Sequence, residues 1–243
     1  KYLYDMKLDQ KAYKGGVPHV VPDVLGQVQR IKNNGENPEI QDGEWTTYGS
    51  GAWGDAACII PWTLYKFYGD EILLAEQYPV MRDWVDYILR VDEKQCGGKR
   101  LWSTGFHFAD WLALDNPDKT SSFGGTDNTY VATAFYYYSA LLTAKAAYVL
   151  GIRQDARDYR QLAREIKNAF RREYFSDRGE LTVRTQTAMV LALYFGLAPK
   201  NSRKKIAGEL KKNIRDHGMH LTTGFVGTCY LCLVLSECGM DQE

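Results

Sequence analysis

The sequence has no surplus of charge: thirty Lys and Arg are matched by thirty Asp and Glu among 243 residues. No segment carries the basic stripe with interleaved aromatics that a phosphate backbone requires, which argues against nucleic acid as a partner. Cysteine is scarce and odd in number. Of the five, Cys229, Cys232 and Cys238 lie within ten residues of one apolar segment, so a disulfide framework is not expected. Cys229-x-x-Cys232 has neither a second Cys pair nor a βαβ context, and reads as two small buried hydrophobes. His217-x-x-His220 lacks a nearby third and fourth ligand, so no metal is expected. Residues 128–150 form an apolar run with a single charge, Lys145. Tyr and Ala dominate it and its neighbours are amphipathic, so it reads as a helix of a soluble protein with no membrane partner. Clear strands are lacking too; residues 16–21 and 179–183 are short enough to be β-like connections. No signal peptide or lead-in loop precedes Lys1, which falls inside a helical pattern, so the chain reads as cut from something larger.

What is present is helix of two alternating kinds. The composition, 45% hydrophobic and 25% charged, suffices for a large core. Residues 56–68, 128–150, 185–195 and 225–237 are apolar on every face and are expected to be buried all round. Between them lie helices with one apolar stripe, such as Tyr159, Leu162, Ile166, Phe170 and Tyr174 at three-and-four spacing, or Ile206, Leu210 and Ile214. Gly69, Gly151, Gly196 and Gly239 close the apolar helices at intervals of 82, 45 and 43 residues. The last two intervals indicate a repeating helical hairpin, and the first is enlarged by a long loop over about 95–127. Buried helices alternating with one-sided ones predict two concentric layers: an all-α, (α/α)6 toroid, here incomplete, with about eight of the twelve helices that six hairpins contain. Residues 1–243 are read as part of one such domain.

In a toroid the loops preceding the inner helices converge at one end. The residues there are Glu44, Trp45, Tyr48, Trp53 and Asp55 before the first; His107, Asp110, Trp111, Asp115, Asp127 and Asn128 before the second; Arg184 and Gln186 before the third; and His220, Thr222 and Thr223 before the fourth. Flat aromatic faces suit the apolar side of a sugar ring, and carboxylates or amides bridge its hydroxyls. Glycoside cleavage further needs two carboxyl groups, about 5 Å apart for retention and roughly 6.5 to 9.5 Å apart for inversion. Plainer roles compete for each residue. Asp55 stands where a carboxylate caps a helix, Trp62 and Trp84 sit within helices as core, Trp102 and Trp111 could clamp the long loop, and Glu44 suits a solvated loop.

Six stretches together resemble the bacterial α-L-rhamnosidases of glycoside hydrolase family 78: GGVPHVVPD at 15–23, GAWGDAACIIPWTLYKFYGD at 51–70, YPVMRDWVDYI at 78–88, FADWL at 108–112, TQTAMVLALYFGL at 185–197 and HLTTGFVGTCYLCLVLSECG at 220–239. The resemblance spans essentially the whole chain. It implies a toroid that releases terminal α-L-rhamnose from a rhamnose-containing glycoside with inversion and without a cofactor. It also implies that Trp53 and Trp111 help form the rhamnose pocket, with Asp110 in the same motif as Trp111 and His220 opening the late motif. Trp53, Asp55, Asp110, Trp111 and His220 are therefore the expected substrate-binding residues. The family's Arg-Asp-Glu-Arg and Gly-Trp-Thr-Gly-Asp segment, which carries the general acid, and the Glu that serves as general base have no match here. No catalytic acid or base is thus expected within this chain, and residues 1–243 alone are expected to be inactive and prone to self-association. A carbohydrate-binding toroid that does not cleave, or a toroid glycosidase for another sugar, remain the alternatives.

Overall fold

A computed structural model describes residues 1–26 and 46–240. Glu44 and Trp45 lie outside the described residues. Among those described there are eight helices: α1 (Tyr2–Ala12), α2 (Ala56–Tyr68), α3 (Glu71–Gln95), α4 (Asn128–Val149), α5 (Arg153–Tyr174), α6 (Gln186–Tyr194), α7 (Arg203–Asp216) and α8 (Phe225–Glu237). The two β-like connections reduce to isolated bridges, Pro18 with Tyr48 and Phe175 with Leu181. No helix of the described residues is long and apolar enough to cross a membrane.

Local chemistry sets the helix ends. Asp70 caps α3 by accepting from the Leu73 amide at 2.9 Å, and Thr185 caps α6 through Ala188 at 3.2 Å. Gly69, Gly151, Gly196 and Gly239 all adopt the left-handed conformation, with φ between 65° and 72°, at the stops the sequence marks.

The chain forms two compact units. The first comprises Lys1–His107 and Phe135–Ile166, the second Phe108–Ala134 and Lys167–Glu243. In the first, α2 packs on α3 over a core that includes Trp84, Trp102, Met81 and Ile88, each essentially solvent-free. Two tyrosines of this unit donate to carboxylates: Tyr78 to Asp155 at 2.6 Å and Tyr159 to Asp86 at 2.7 Å. Arg100 joins Asp92 and Glu165, each at 3.0 Å. In the second unit α6 packs on α7 and α8, and Tyr130, Phe170 and Tyr174 form an aromatic cluster. There the Arg171 guanidinium donates to the carbonyls of Leu197 and Ala198, and Arg203 to that of Leu193, satisfying carbonyls at and beyond the end of α6.

The apolar helices are not all enclosed. Residues 186–193 of α6 are buried throughout, as expected. In α2 only Ala57, Cys58 and Pro61 are buried, while Phe67 and Tyr68 are each 78% exposed. In α8 Phe225 and Leu233 face solvent, and so do Cys229 and Cys232. The expectation of all-round burial for these two helices and for the end of α4, where Tyr148 is 72% exposed, and of burial for that cysteine pair, is therefore corrected. An apolar face stays bare where no described residue packs against it.

Candidate functional site

The turn before α2 is built around Asp55. Its position is the N-cap of α2, yet its side chain bonds to none of the helix's amides; it turns back, and Oδ2 accepts from the Ala52 N–H at 2.8 Å. Helix capping, the plainer sequence reading of Asp55, is thus replaced by a bond within the turn. Ala52 has φ +71°, unusual for a residue with a side chain, and this bond helps hold it there. Oδ1 accepts from Trp84 Nε1 at 2.9 Å and from the Ser139 hydroxyl. Asp55 is fully buried, and burial raises its pKa, while the bonds from Ser139, Trp84 and Ala52 favour the ionised form. Gly54 lies against the Trp84 ring so closely that a Cβ there would come within 2.3 Å of it.

His107 steadies the same turn. The Gly51 amide can only donate, so Nδ1, at 3.0 Å, is the acceptor and Nε2 carries the proton, facing the Thr104 carbonyl at 3.1 Å. Burial lowers the His107 pKa to about 4, keeping the ring neutral. Trp102, a candidate loop clamp, is buried edge-on against this ring at 4.6 Å and against Trp84 at 5.8 Å. The product of this scaffold is a rigid turn on which Trp53 stands half-buried.

In the second unit Asp110 and Trp111 sit between two further residues with positive φ, Ala109 at +50° and Leu112 at +59°. Asp110 is fully buried. Its Oδ1 accepts from the amides of Val226 and Gly227, each at 2.9 Å, and Oδ2 from the Gly224 amide at 2.8 Å and from the Thr187 hydroxyl. The Phe225 amide donates to the Trp111 carbonyl at 3.0 Å. The half-buried Trp111 ring meets Phe108 and Phe123 edge-on, at 5.4 and 5.0 Å. His220 is exposed; its carbonyl accepts from Gln186 Nε2 at 3.2 Å, and Gln186 Oε1 accepts from the Thr222 amide at 2.9 Å.

Other candidates serve the framework. Asp127 accepts from the Tyr130 amide at 2.8 Å and so caps α4. Asp115, its pKa raised by burial, accepts from the Gly125 amide at 2.6 Å and braces the long loop. Arg184 approaches Glu209 at 3.7 Å on the surface. A groove of about 470 Å³ in the first unit, between α1 and α3, contains none of the expected site residues, and Asp83 and Asp86 offset much of the charge of its lysines and Arg90.

The expected residues therefore fall into two sets: Trp53 and Asp55 in one unit, and Asp110, Trp111 and His220 in the other. Both carboxylates are enclosed, with their oxygens occupied by protein donors, so neither can reach a ligand directly as placed. The surfaces open to a ligand are aromatic and imidazole. Trp84, Ser139 and Thr187 complete the two networks; nothing in the sequence marks them as partners, since 29, 84 and 77 positions separate them from the aspartates they hold.

Residues 1–243 match the family model described as the bacterial alpha-L-rhamnosidase six-hairpin glycosidase domain. The chain belongs to that family. It is 34% identical over 232 residues to an alpha-L-rhamnosidase of Alteromonas sp. (strain LOR), covering 89% of this chain and 24% of that protein. An alpha-L-rhamnosidase of Formosa agariphila is 35% identical over 226 residues, covering 93% and 22%. Among solved structures, the Streptomyces avermitilis alpha-L-rhamnosidase complexed with L-rhamnose superposes with a TM-score of 0.80 at 30% identity, covering 99% of this chain and 20% of that one. The Aspergillus terreus enzyme gives 0.82 at 30% identity, covering 99% and 25%. The chain spans about a quarter of the length of these relatives. The fold class is all-α, that of the helical-toroid rhamnosidases, as the alternation of apolar and one-sided helices implies.

Proposed function

We propose that the whole protein to which these residues belong is an inverting α-L-rhamnosidase that releases terminal rhamnose from a rhamnose-containing glycoside without a cofactor. Residues 1–243 form part of its single toroidal catalytic domain, and the loop over about 95–127 is an active-site loop. The match to the family model along all 243 residues carries the reading. The geometry supports it: two buried aspartates each fix a turn that offers a tryptophan, the arrangement a sugar's apolar face requires. In this reading Trp53, Trp111 and His220 contact rhamnose, while Asp55 and Asp110 contribute to binding by fixing those turns. The general acid and base are Glu residues outside this chain. The whole protein is expected to cleave p-nitrophenyl α-L-rhamnoside and residues 1–243 alone to leave it intact. Cleavage by these residues alone would overturn the placement of the catalytic pair.

A further inference from the structure

An α-helix begins with backbone N–H groups that have no partner within the helix. In α8 these donors are satisfied from a distant part of the chain. The amides of Gly224, Val226 and Gly227 go to the Asp110 carboxylate, and that of Phe225 to the Trp111 carbonyl; the first bond inside the helix is Thr228 to Gly224. Two adjacent residues, more than 110 positions upstream, thus serve as the cap of α8. Their approach is close enough that a Cβ on Gly224 would come within 2.3 Å of the Trp111 carbonyl oxygen and 2.7 Å of both the Asp110 carbonyl oxygen and the Ala113 amide. That explains a glycine at a position whose φ of −93° does not itself demand one.

The segment leading into α8 is held from its other side. Gln186, fully buried at the start of α6, uses both ends of its amide on the backbone of residues 220–222, and the Leu114 amide donates to the Thr222 carbonyl at 2.9 Å. Thr187, the next residue, donates to Asp110. Adjacent side chains on one helix turn therefore hold both partners of the cap: Gln186 the segment bearing His220, and Thr187 the aspartate beside Trp111. A carboxylate accepting several backbone amides in a dry site is a strong and directional anchor.

We infer that Asp110, Gln186 and Thr187 are positioning residues that lock the Trp111 turn and the His220 segment into one preorganised element for sugar recognition. This inference rests on the rhamnose reading. None of the three reaches solvent, so each acts through Trp111 and His220 and touches no substrate. Misplacement of a binding group by a remote substitution costs up to about a hundredfold in rate or affinity.

The test uses the complete protein and three variants. Gln186→Glu retains the acceptor for the Thr222 amide but loses the donor to the His220 carbonyl. Thr187→Val removes the hydroxyl that holds Asp110, and Thr187→Ser restores it. The expected result is that Gln186→Glu and Thr187→Val each weaken L-rhamnose binding by calorimetry, and raise KM for p-nitrophenyl α-L-rhamnoside, by about tenfold or more, with kcat changing less than KM. Thr187→Ser should lie within about twofold of the parent. A lowered melting temperature with unchanged rhamnose affinity and KM would overturn the inference, reducing the network to a structural role. A parent that neither binds nor cleaves the rhamnoside would overturn the sugar reading instead. Amide exchange then judges the lock without any ligand: faster exchange at residues 220–227 in Gln186→Glu and Thr187→Val supports it, and unchanged exchange overturns it.

Discussion

Trp84 Nε1 donates a hydrogen bond to Asp55 Oδ1 at 2.9 Å, in a place where neither side chain reaches solvent. The same indole lies under Gly54, and the same carboxylate holds the strained Ala52. A helix-core tryptophan is thereby the floor of the turn that carries Trp53. The bond converts packing in α3 into a fixed direction for a residue three positions before α2 begins.

Asp55→Asn should destabilise the protein by about 1–3 kcal/mol. An amide in this position accepts fewer bonds and aims its own N–H groups at donors, leaving at least one buried group unpaired. Trp84→Phe, which keeps most of the ring but removes the donor, should cost at least about 1 kcal/mol for the same reason. Chemical denaturation checks both, and a midpoint unchanged in Asp55→Asn would contradict the network.

Gly224→Ala should destabilise the protein by about 1–3 kcal/mol through overpacking against the Trp111 and Asp110 carbonyls. Gly208→Ala, in α7 where a Cβ would meet nothing within 4 Å, should be neutral or stabilising by up to about 1 kcal/mol. Thermal unfolding of the pair separates close approach from the general effect of replacing glycine.

Burial lowers the pKa of His107 and of His19 from 6.5 to about 4. Between those values the unfolded chain takes up protons that the folded protein refuses. The two histidines' contribution to the free energy of unfolding therefore falls as pH drops from about 6.5 towards 4, and is level above about pH 7. Urea midpoints from pH 8 to pH 4.5 check the slope. His107→Gln, which offers an acceptor to Gly51 and takes up no proton, should reduce that slope and leave the share of His19.

Phe67, Tyr68, Ile72 and Tyr148 are large apolar side chains of the first unit, each more than 70% accessible, and exposed apolar surface promotes association. Residues 1–243 prepared alone should self-associate, and Phe67→Lys combined with Ile72→Lys should reduce that association. Light scattering against concentration measures it; a monodisperse monomer would contradict the expectation.

Much of the fold was legible in the sequence. The four glycine stops and the alternation of apolar and one-sided helices appear as read, because periodicity and left-handed caps are local properties. Burial around α2 and α8 was not legible, because an apolar helix face says what it seeks and not whether the neighbour is present. The site was legible as residue types and less so as roles. Asp55 stands in a glycine-rich aromatic turn and Asp110 in an aromatic one, which suggest a ligand, yet their oxygens face inward to Trp84, Ser139, Thr187 and the amides of α8. Those partners arrive from distant helices, and no spacing announces them. Gln186 stood out only by its place before an inner helix; its hold on the backbone of His220 and Thr222 is purely tertiary.

Hydrolysis of p-nitrophenyl α-L-rhamnoside by the complete protein, followed by proton NMR of the released sugar, tests the central claim most directly. The account predicts cleavage in which β-L-rhamnose appears first and then mutarotates. Absence of cleavage, or initial release of the α-anomer, would contradict it.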